Sequence, residues 1–123
     1  MKDALWITIG AVVGANLRFA VSRWAAGHWP SLPWGTFIVN VTGSFVVGFF
    51  LVWTSERVLA DPRWRMLVAI GFCGAYTTFS SFSYETFNLW QQGHYSLAFL
   101  NFVANNGLAF LAVLAGAALA KTL

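Results

Sequence analysis

The feature that most constrains this chain is the scarcity of charge within four long apolar stretches. They run over residues 4–26, 35–54, 64–92 and 96–121, and short turns rich in proline, glycine or charged residues separate them. A helix needs about 20 mostly apolar residues to cross the hydrocarbon core of a bilayer. The sequence therefore predicts an all-α membrane protein, with four transmembrane helices forming a single transmembrane domain over residues 1–123.

The composition favours a membrane protein over a water-soluble one. The 123 residues are 59% hydrophobic and 9% charged, whereas a soluble domain carries about 25% charged residues. The net charge of +3 comes from seven Lys and Arg residues scattered near the segment ends, so we expect no nucleic-acid binding. No catalytic Ser/His/Asp set or metal-ligand spacing is visible, so we expect no enzymatic activity.

The third stretch contains a segment that does not suit a helix facing lipid, GFCGAYTTFSSFSY at residues 71–84. Glycine weakens a helix, and threonine hydroxyls can bond to the preceding turn and bend it. We therefore predict a break between Gly74 and Thr78. Irregular backbone at membrane depth is tolerated only where it is buried in protein or lines a cavity. Such breaks direct carbonyl groups at cations and helix N-termini at anions.

Phe79 and Phe82 follow the predicted break and share a helix face, because they are three residues apart. The edge of an aromatic ring is electropositive, and Ser81 adds a hydroxyl donor beside the rings. Rings presented edge-on would favour a small anion without a full positive charge, so the ion could leave again. The alternative is that both rings only pack against neighbouring helices, and their spacing alone favours that alternative.

Two other stretches carry polar stripes at four-residue intervals, Thr36–Asn40–Ser44 in the second and Asn101–Asn105 in the fourth. An asparagine amide offers two N–H donors, which suit a partly dehydrated anion. The alternative is that these residues join helices by hydrogen bonds worth about 0.6 kcal/mol on average. In a monomer the stripes would face lipid at several kcal/mol per unsatisfied group, so we expect a dimer or a larger assembly.

The remaining candidates lie in the first and third stretches. Gly10 and Gly14 have GxxxG spacing, which predicts close approach of another helix. Arg18 either reaches the lipid headgroups or lends positive potential to an anion vestibule. Glu85 is an acid within a span and is a functional candidate by default, unless a partner such as Arg18 makes it structural.

The motifs together resemble those of the Fluc (CrcB) fluoride channels. GFCGAYTTFSSFSYE (71–85) is similar to the family signature GFxGGxTTFSTFSxE, with Ala75 and Ser81 where the family often has glycine and threonine. GAVVGANLRF (10–19) resembles the first-helix motif that ends in arginine, and WGTFIVNVTGSFVVG (34–48) resembles the GTxxVNxxG segment. The matches occur in the family's order and cover nearly the whole chain.

The resemblance implies a dual-topology homodimer in which two antiparallel four-helix subunits, the third helix broken in each, enclose two fluoride pores. It implies passive export of cytoplasmic fluoride across the bacterial inner membrane, which protects the cell against fluoride toxicity. The pore positions it assigns to this chain are Phe79, Phe82, Asn40, Ser81 and Asn105, with Asn101 as an outer member. Thr36 joins the candidate pore residues through the polar stripe that it shares with Asn40.

Two further assignments follow from the same resemblance. Arg18 matches an arginine in the vestibule of the pore. A structural sodium ion on the dimer axis would be held by the backbone carbonyls of Gly74 and Thr77 from each subunit.

A small multidrug-type exporter is the alternative function, since such proteins also have four helices and form antiparallel dimers. They exchange protons for cationic drugs with a membrane-embedded glutamate in the first helix. Here the first stretch has no glutamate, and Glu85 lies in the third. A purely structural membrane subunit is a further alternative, and it predicts no ion flux.

Overall fold

The computed structural model describes residues 1–57 and 61–123, and these residues are almost entirely helical. Within the described residues, four spans are long and apolar enough to cross a membrane, which confirms the predicted number. The first span is Lys2–His28, the second Trp34–Ser55, the third Pro62–Gln91 and the fourth Tyr95–Thr122. Their ends differ from the predicted ones by one or two residues.

Local sequence explains how the connections begin and end the spans. The Asp61 side chain accepts a hydrogen bond from the Arg63 N–H at 2.9 Å, and Pro62 takes the first helical position, so the third span begins there. Gly93 has a φ of 81°, which lets the chain reverse between the third and fourth spans. Part of the hydrophilic connection predicted at residues 55–65, residues 58–60, lies outside the described residues.

The third span is broken near its middle. Its first half comprises Pro62–Trp64, a π-helical segment Arg65–Cys73 and a short turn Gly74–Tyr76. Thr77 (φ −82°, ψ 158°) and Thr78 (φ −151°, ψ 118°) are extended, and a second helix then runs over Phe79–Gln91. This confirms the predicted break, and the Thr77 hydroxyl bonds back to the Cys73 carbonyl at 2.8 Å.

Glycines allow the spans to approach closely. The first span packs against the first half of the third, where a Cβ at Gly10 or Gly14 would overlap the backbone of Leu67 or Phe72. This confirms the close approach predicted from the GxxxG spacing. The second span packs in the same way against the fourth through Gly48 and Gly116.

The outer surface of the bundle is apolar and its interior is built largely from small residues. Alanines and glycines occupy several of the buried positions, as expected where helices associate in lipid. Large apolar side chains point outwards instead, with exposed fractions above half for Phe19, Phe99, Phe110 and Leu111. An exterior of this kind is stable only against hydrocarbon, so the fold is that of a multi-pass membrane protein.

Gly116→Ala should destabilise the bundle by about 1–3 kcal/mol, because the added methyl group would overpack the contact with the second span. It would lie 2.3 Å from the carbonyl oxygen of Phe45. Gly107→Ala on the same helix is the matched control, since nothing lies within 4 Å of its added Cβ. Thermal unfolding in detergent compares the two variants, and equal midpoints would contradict this packing.

Candidate functional site

A groove of about 390 Å³ lies beside the break in the third span. The second span, the two halves of the third span and the fourth span all contribute to it. Its lining combines amides, hydroxyls and aromatic rings, and none of the described residues that line it is charged. The polar and aromatic members are Asn40, Ser44, Thr77, Thr78, Phe79, Phe82, Asn105 and Asn106.

Asn40 supplies the hydrogen bonds that the extended backbone of the break lacks. Its Oδ1 accepts from the Thr78 N–H at 2.8 Å, and its Nδ2 donates to the Thr78 carbonyl at 3.1 Å. The same Nδ2 donates to Asn105 Oδ1, also at 3.1 Å. Buried peptide groups need partners of this kind, so the second span and the break are held together by one side chain.

Thr78 also caps the helix that carries both phenylalanines. Its Oγ1 accepts from the Ser81 N–H at 3.2 Å, and its hydroxyl donates to Ser81 Oγ at 3.1 Å. Ser81 therefore lies at the first turn beside the groove, although its side chain does not line the groove. The cap fixes where the Phe79–Gln91 helix begins and hence the direction of its first side chains.

The two phenylalanine rings are neighbours in very different surroundings. Their centroids are 5.3 Å apart, but Phe82 is 3% exposed and Phe79 is 74% exposed. Phe82 also contacts Phe102 of the fourth span, with 6.0 Å between ring centroids. Phe82 thus packs against a neighbouring helix, as the alternative interpretation of the two rings expected, and it also lines the groove. Phe79 instead lies at the open side of the groove. Phe102 was missed because no spacing pattern relates it to the third span.

On the fourth span, the predicted asparagines form a line of hydrogen bonds. Asn105 is buried, and its Nδ2 donates to the main-chain and side-chain oxygens of Asn101, each at 3.0 Å. Asn101 Nδ2 donates to the Thr86 hydroxyl at 2.9 Å, and that hydroxyl donates to the Phe82 carbonyl at 2.8 Å. The structure thus brings Asn105 to the groove and leaves Asn101 one turn away from it. Thr86 was not predicted.

Thr36 lies away from the groove and bonds to the acid of the third span. The Thr36 hydroxyl is buried and donates to Glu85 Oε1 at 2.7 Å. The other carboxyl oxygen, Glu85 Oε2, is buried without a hydrogen-bond partner among the described residues. A pair between Glu85 and Arg18, considered from the sequence, does not form.

Arg18 instead reaches the break, where its Nη1 donates to the Thr77 carbonyl at 3.2 Å. It is half-buried and lies ten residues before the end of the first helix, so its contact with the break is made from within the first span. The carbonyls of Gly74 and Thr77 lack their usual helical partners, which would be the N–H groups of Thr78 and Ser81. The Thr78 N–H donates to Asn40 instead, and the Ser81 N–H donates to Thr78 Oγ1.

These features define a class of protein: a small helical membrane protein with an uncharged groove, lined by amides, hydroxyls and aromatic rings, at the middle of a broken span. Residues 5–117 match the family model described as CrcB-like protein, Camphor Resistance (CrcB). The chain belongs to this CrcB family.

Curated relatives match the chain over nearly its full length. A protein of Koribacter versatilis named fluoride-specific ion channel FluC is 51% identical over 124 residues, which cover all of this chain and 98% of the relative. A protein of the same name from Sulfurihydrogenibium sp. is 46% identical over 126 residues and the whole of both chains. A third, from Roseiflexus sp., is 44% identical over 95% of each chain.

Thr36→Val should destabilise the protein by about 1–3 kcal/mol, because it removes the hydrogen bond to a partly buried carboxyl group. The same substitution in a Glu85→Leu background should cost much less, since no carboxyl oxygen then loses a partner. Residues in direct contact show coupling of about 0.5–3 kcal/mol in such a double-mutant cycle. Unfolding of the four proteins in detergent gives the coupling, and strictly additive effects would contradict the Thr36–Glu85 contact.

Proposed function

We propose that this chain forms a fluoride-selective channel, through which cytoplasmic fluoride leaves the cell by passive permeation. Its activity lowers intracellular fluoride and protects the cell against fluoride toxicity. The observation that carries the proposal is the groove at the break, where amides, hydroxyls and two phenylalanine rings meet inside a membrane-spanning bundle. The names of the relatives, fluoride-specific ion channel FluC, support fluoride as the ion.

The chemistry of the groove suits a small halide. Fluoride holds its water strongly, so it enters only where hydrogen-bond donors and electropositive ring edges replace that water. Because the described groove-lining residues carry no charge, binding stays weak enough for the ion to move on. Chloride is larger, and a narrow track excludes it. The site transports an ion and carries out no covalent chemistry, so the protein acts as a channel and not as an enzyme.

The proposed pore follows the Phe79–Gln91 helix and its neighbours. Phe79, Phe82 and Asn105 line the groove itself, with Asn40 at its wall and Ser81 at the adjoining helix cap. Thr36 and Asn101 lie further along the second and fourth spans, where they line the outer part of the proposed pore. Arg18 forms the vestibule, where its positive charge beside the Thr77 carbonyl raises the local concentration of anions.

One chain leaves this pore open on one side. Phe79 is 74% exposed although it stands beside the groove. A second copy of the chain closes the groove, which gives the homodimer. The break at residues 77–78 is near the middle of the third span, so two copies inserted in opposite directions in the bacterial inner membrane present their breaks at the same depth.

A sodium ion at the dimer interface is the proposed structural cofactor. Carbonyl oxygens suit hard cations, and the Gly74 carbonyl fits because its helical N–H partner donates to Asn40 instead. Gly74 is also exposed, with nothing within 4 Å of an added Cβ, so a second copy can approach it. Thr77 fits less well, since its carbonyl already accepts from the cationic Arg18. When bound, the ion would join the two breaks by electrostatic attraction to the carbonyls.

Fluoride efflux from proteoliposomes containing the purified protein tests the proposed activity. A fluoride electrode should record rapid efflux once a potassium ionophore removes the opposing voltage, and a chloride electrode should record none above protein-free liposomes. Equal efflux of both ions, or of neither, would contradict a fluoride-selective channel. Proton-driven uptake of a cationic drug that Glu85→Gln abolishes would support the multidrug alternative.

Phe82→Ile should reduce fluoride efflux to the level of protein-free liposomes, because it replaces the electropositive ring edge with an aliphatic group. The dimer should persist, as measured by light scattering on a sizing column. Phe110→Ile is the matched control, since Phe110 is 64% exposed on the fourth span and does not line the groove. Undiminished efflux through the Phe82 variant would refute the role of the ring edge.

Replacement of sodium by potassium at constant ionic strength should lower the midpoint of thermal unfolding of the dimer. A ligand that binds only the folded dimer stabilises it by an amount that grows with the logarithm of its concentration above its dissociation constant. Titration of sodium should therefore raise the midpoint steadily once the site fills. A midpoint that is independent of sodium would contradict the structural ion and would leave the channel proposal standing.

A further inference from the structure

We infer that Asn40 acts on permeation as a positioning residue: it holds the break of the third span in place and does not use its N–H groups on the ion. Its contacts are independent of the ion, and only their consequence for permeation rests on the proposed fluoride channel. This role of Asn40 differs from that of a donor to fluoride. It follows from the direction of each hydrogen bond around the side-chain amide.

The orientation of the Asn40 amide is determined by the backbone. The Thr78 N–H can only donate, so the atom 2.8 Å from it must be the amide oxygen. The Asn40 nitrogen then faces the Thr78 carbonyl and Asn105 Oδ1, each at 3.1 Å. An asparagine amide has two N–H groups, and both are therefore engaged with the protein.

The orientation of the Asn40 amide also determines the orientation of the next two amides, Asn105 and Asn101. Because Asn105 presents its oxygen to Asn40, its nitrogen faces Asn101, with donor–acceptor distances of 3.0 Å. Asn101 in turn donates to the Thr86 hydroxyl at 2.9 Å, and Thr86 donates to the Phe82 carbonyl at 2.8 Å. Every donor points the same way along this series, which we call the amide relay. Its members are Thr78, Asn40, Asn105, Asn101, Thr86 and Phe82.

The amide relay starts and ends on the same part of the third span. It leaves the break at Thr78, crosses the second and fourth spans, and returns to the helix that Thr78 caps. Hydrogen bonds in such a directed series polarise and strengthen one another where the surroundings are apolar. The relay therefore fixes the start of the Phe79–Gln91 helix relative to the rest of the bundle, and with it the positions of Phe79 and Phe82.

A direct contact between Asn40 and fluoride would disrupt this arrangement. Donation to the ion would require Asn40 to release either the Thr78 carbonyl or Asn105 Oδ1. Asn105 is 5% exposed, so its oxygen would be left without water as a replacement partner. Holding the break is therefore the role that the contacts of Asn40 favour.

Hydrogen exchange at the Thr78 amide tests this role in the absence of fluoride. NMR spectra of the full dimer in lipid nanodiscs should show the amide of Thr78 protected in the natural sequence. Asn40→Asp keeps an acceptor for this N–H but loses the donor to the Thr78 carbonyl and Asn105 Oδ1, so its exchange rate should lie between those of the natural protein and Asn40→Leu. Asn40→Leu removes the acceptor and should exchange at least about tenfold faster, as expected when one hydrogen bond is lost.

Asn106→Leu is the matched control on the fourth span. Asn106 also lines the groove, but its amide donates to the Phe102 carbonyl of its own helix and lies outside the amide relay. Protection of Thr78 should be unchanged in this variant. Unchanged exchange in Asn40→Leu, or an equal loss of protection in Asn106→Leu, would overturn the positioning role.

A fluoride titration of the natural protein decides the question even if Asn40→Leu fails to fold. The positioning role predicts that both side-chain amide protons of Asn40 keep their chemical shifts as fluoride is added. A large downfield shift of one of them, with coupling to ¹⁹F, would identify Asn40 as a direct ligand and overturn the inference. Failure of the natural protein to conduct fluoride, with Thr78 still protected through Asn40, would instead reject the channel and leave the positioning role intact.

Discussion

The structure depends on satisfying the peptide groups of a two-residue break inside hydrocarbon. An unpaired backbone group at this depth costs several kcal/mol, because no water is present to replace its partner. Asn40 pairs with the N–H and carbonyl of Thr78, and Arg18 pairs with the carbonyl of Thr77. These two side chains come from different spans, so the break is stable only within the assembled bundle. The break in turn starts the helix that presents both phenylalanine rings.

Close packing at glycines makes those side-chain contacts possible. The first span lies against the third at Gly10 and Gly14, which brings Arg18, one turn further along, to the break. The second span lies against the fourth at Gly48 and Gly116, and Asn40 consequently meets Asn105. The glycines and the polar residues thus act together. A groove lined by polar and aromatic groups but without charge results at the middle of the membrane.

Much of this arrangement could be predicted from the sequence, and the rest could not for a physical reason. Hydropathy predicts four spans, and the GAYTTF composition predicts the break, since both depend on neighbouring residues alone. Contacts such as Arg18 with Thr77, Thr36 with Glu85 and Phe82 with Phe102 depend on the rotation and depth of one helix against another. A four-residue spacing shows that two side chains share a helix face, but it does not show what that face contacts.

A crystal structure of the dimer grown in fluoride would test most directly whether the groove at the break is an ion pathway. An ion pathway requires anion density in the groove beside the edges of the Phe79 and Phe82 rings, with the second copy closing the open side. Rings that face hydrocarbon, with neither anion nor solvent density next to them, would contradict it.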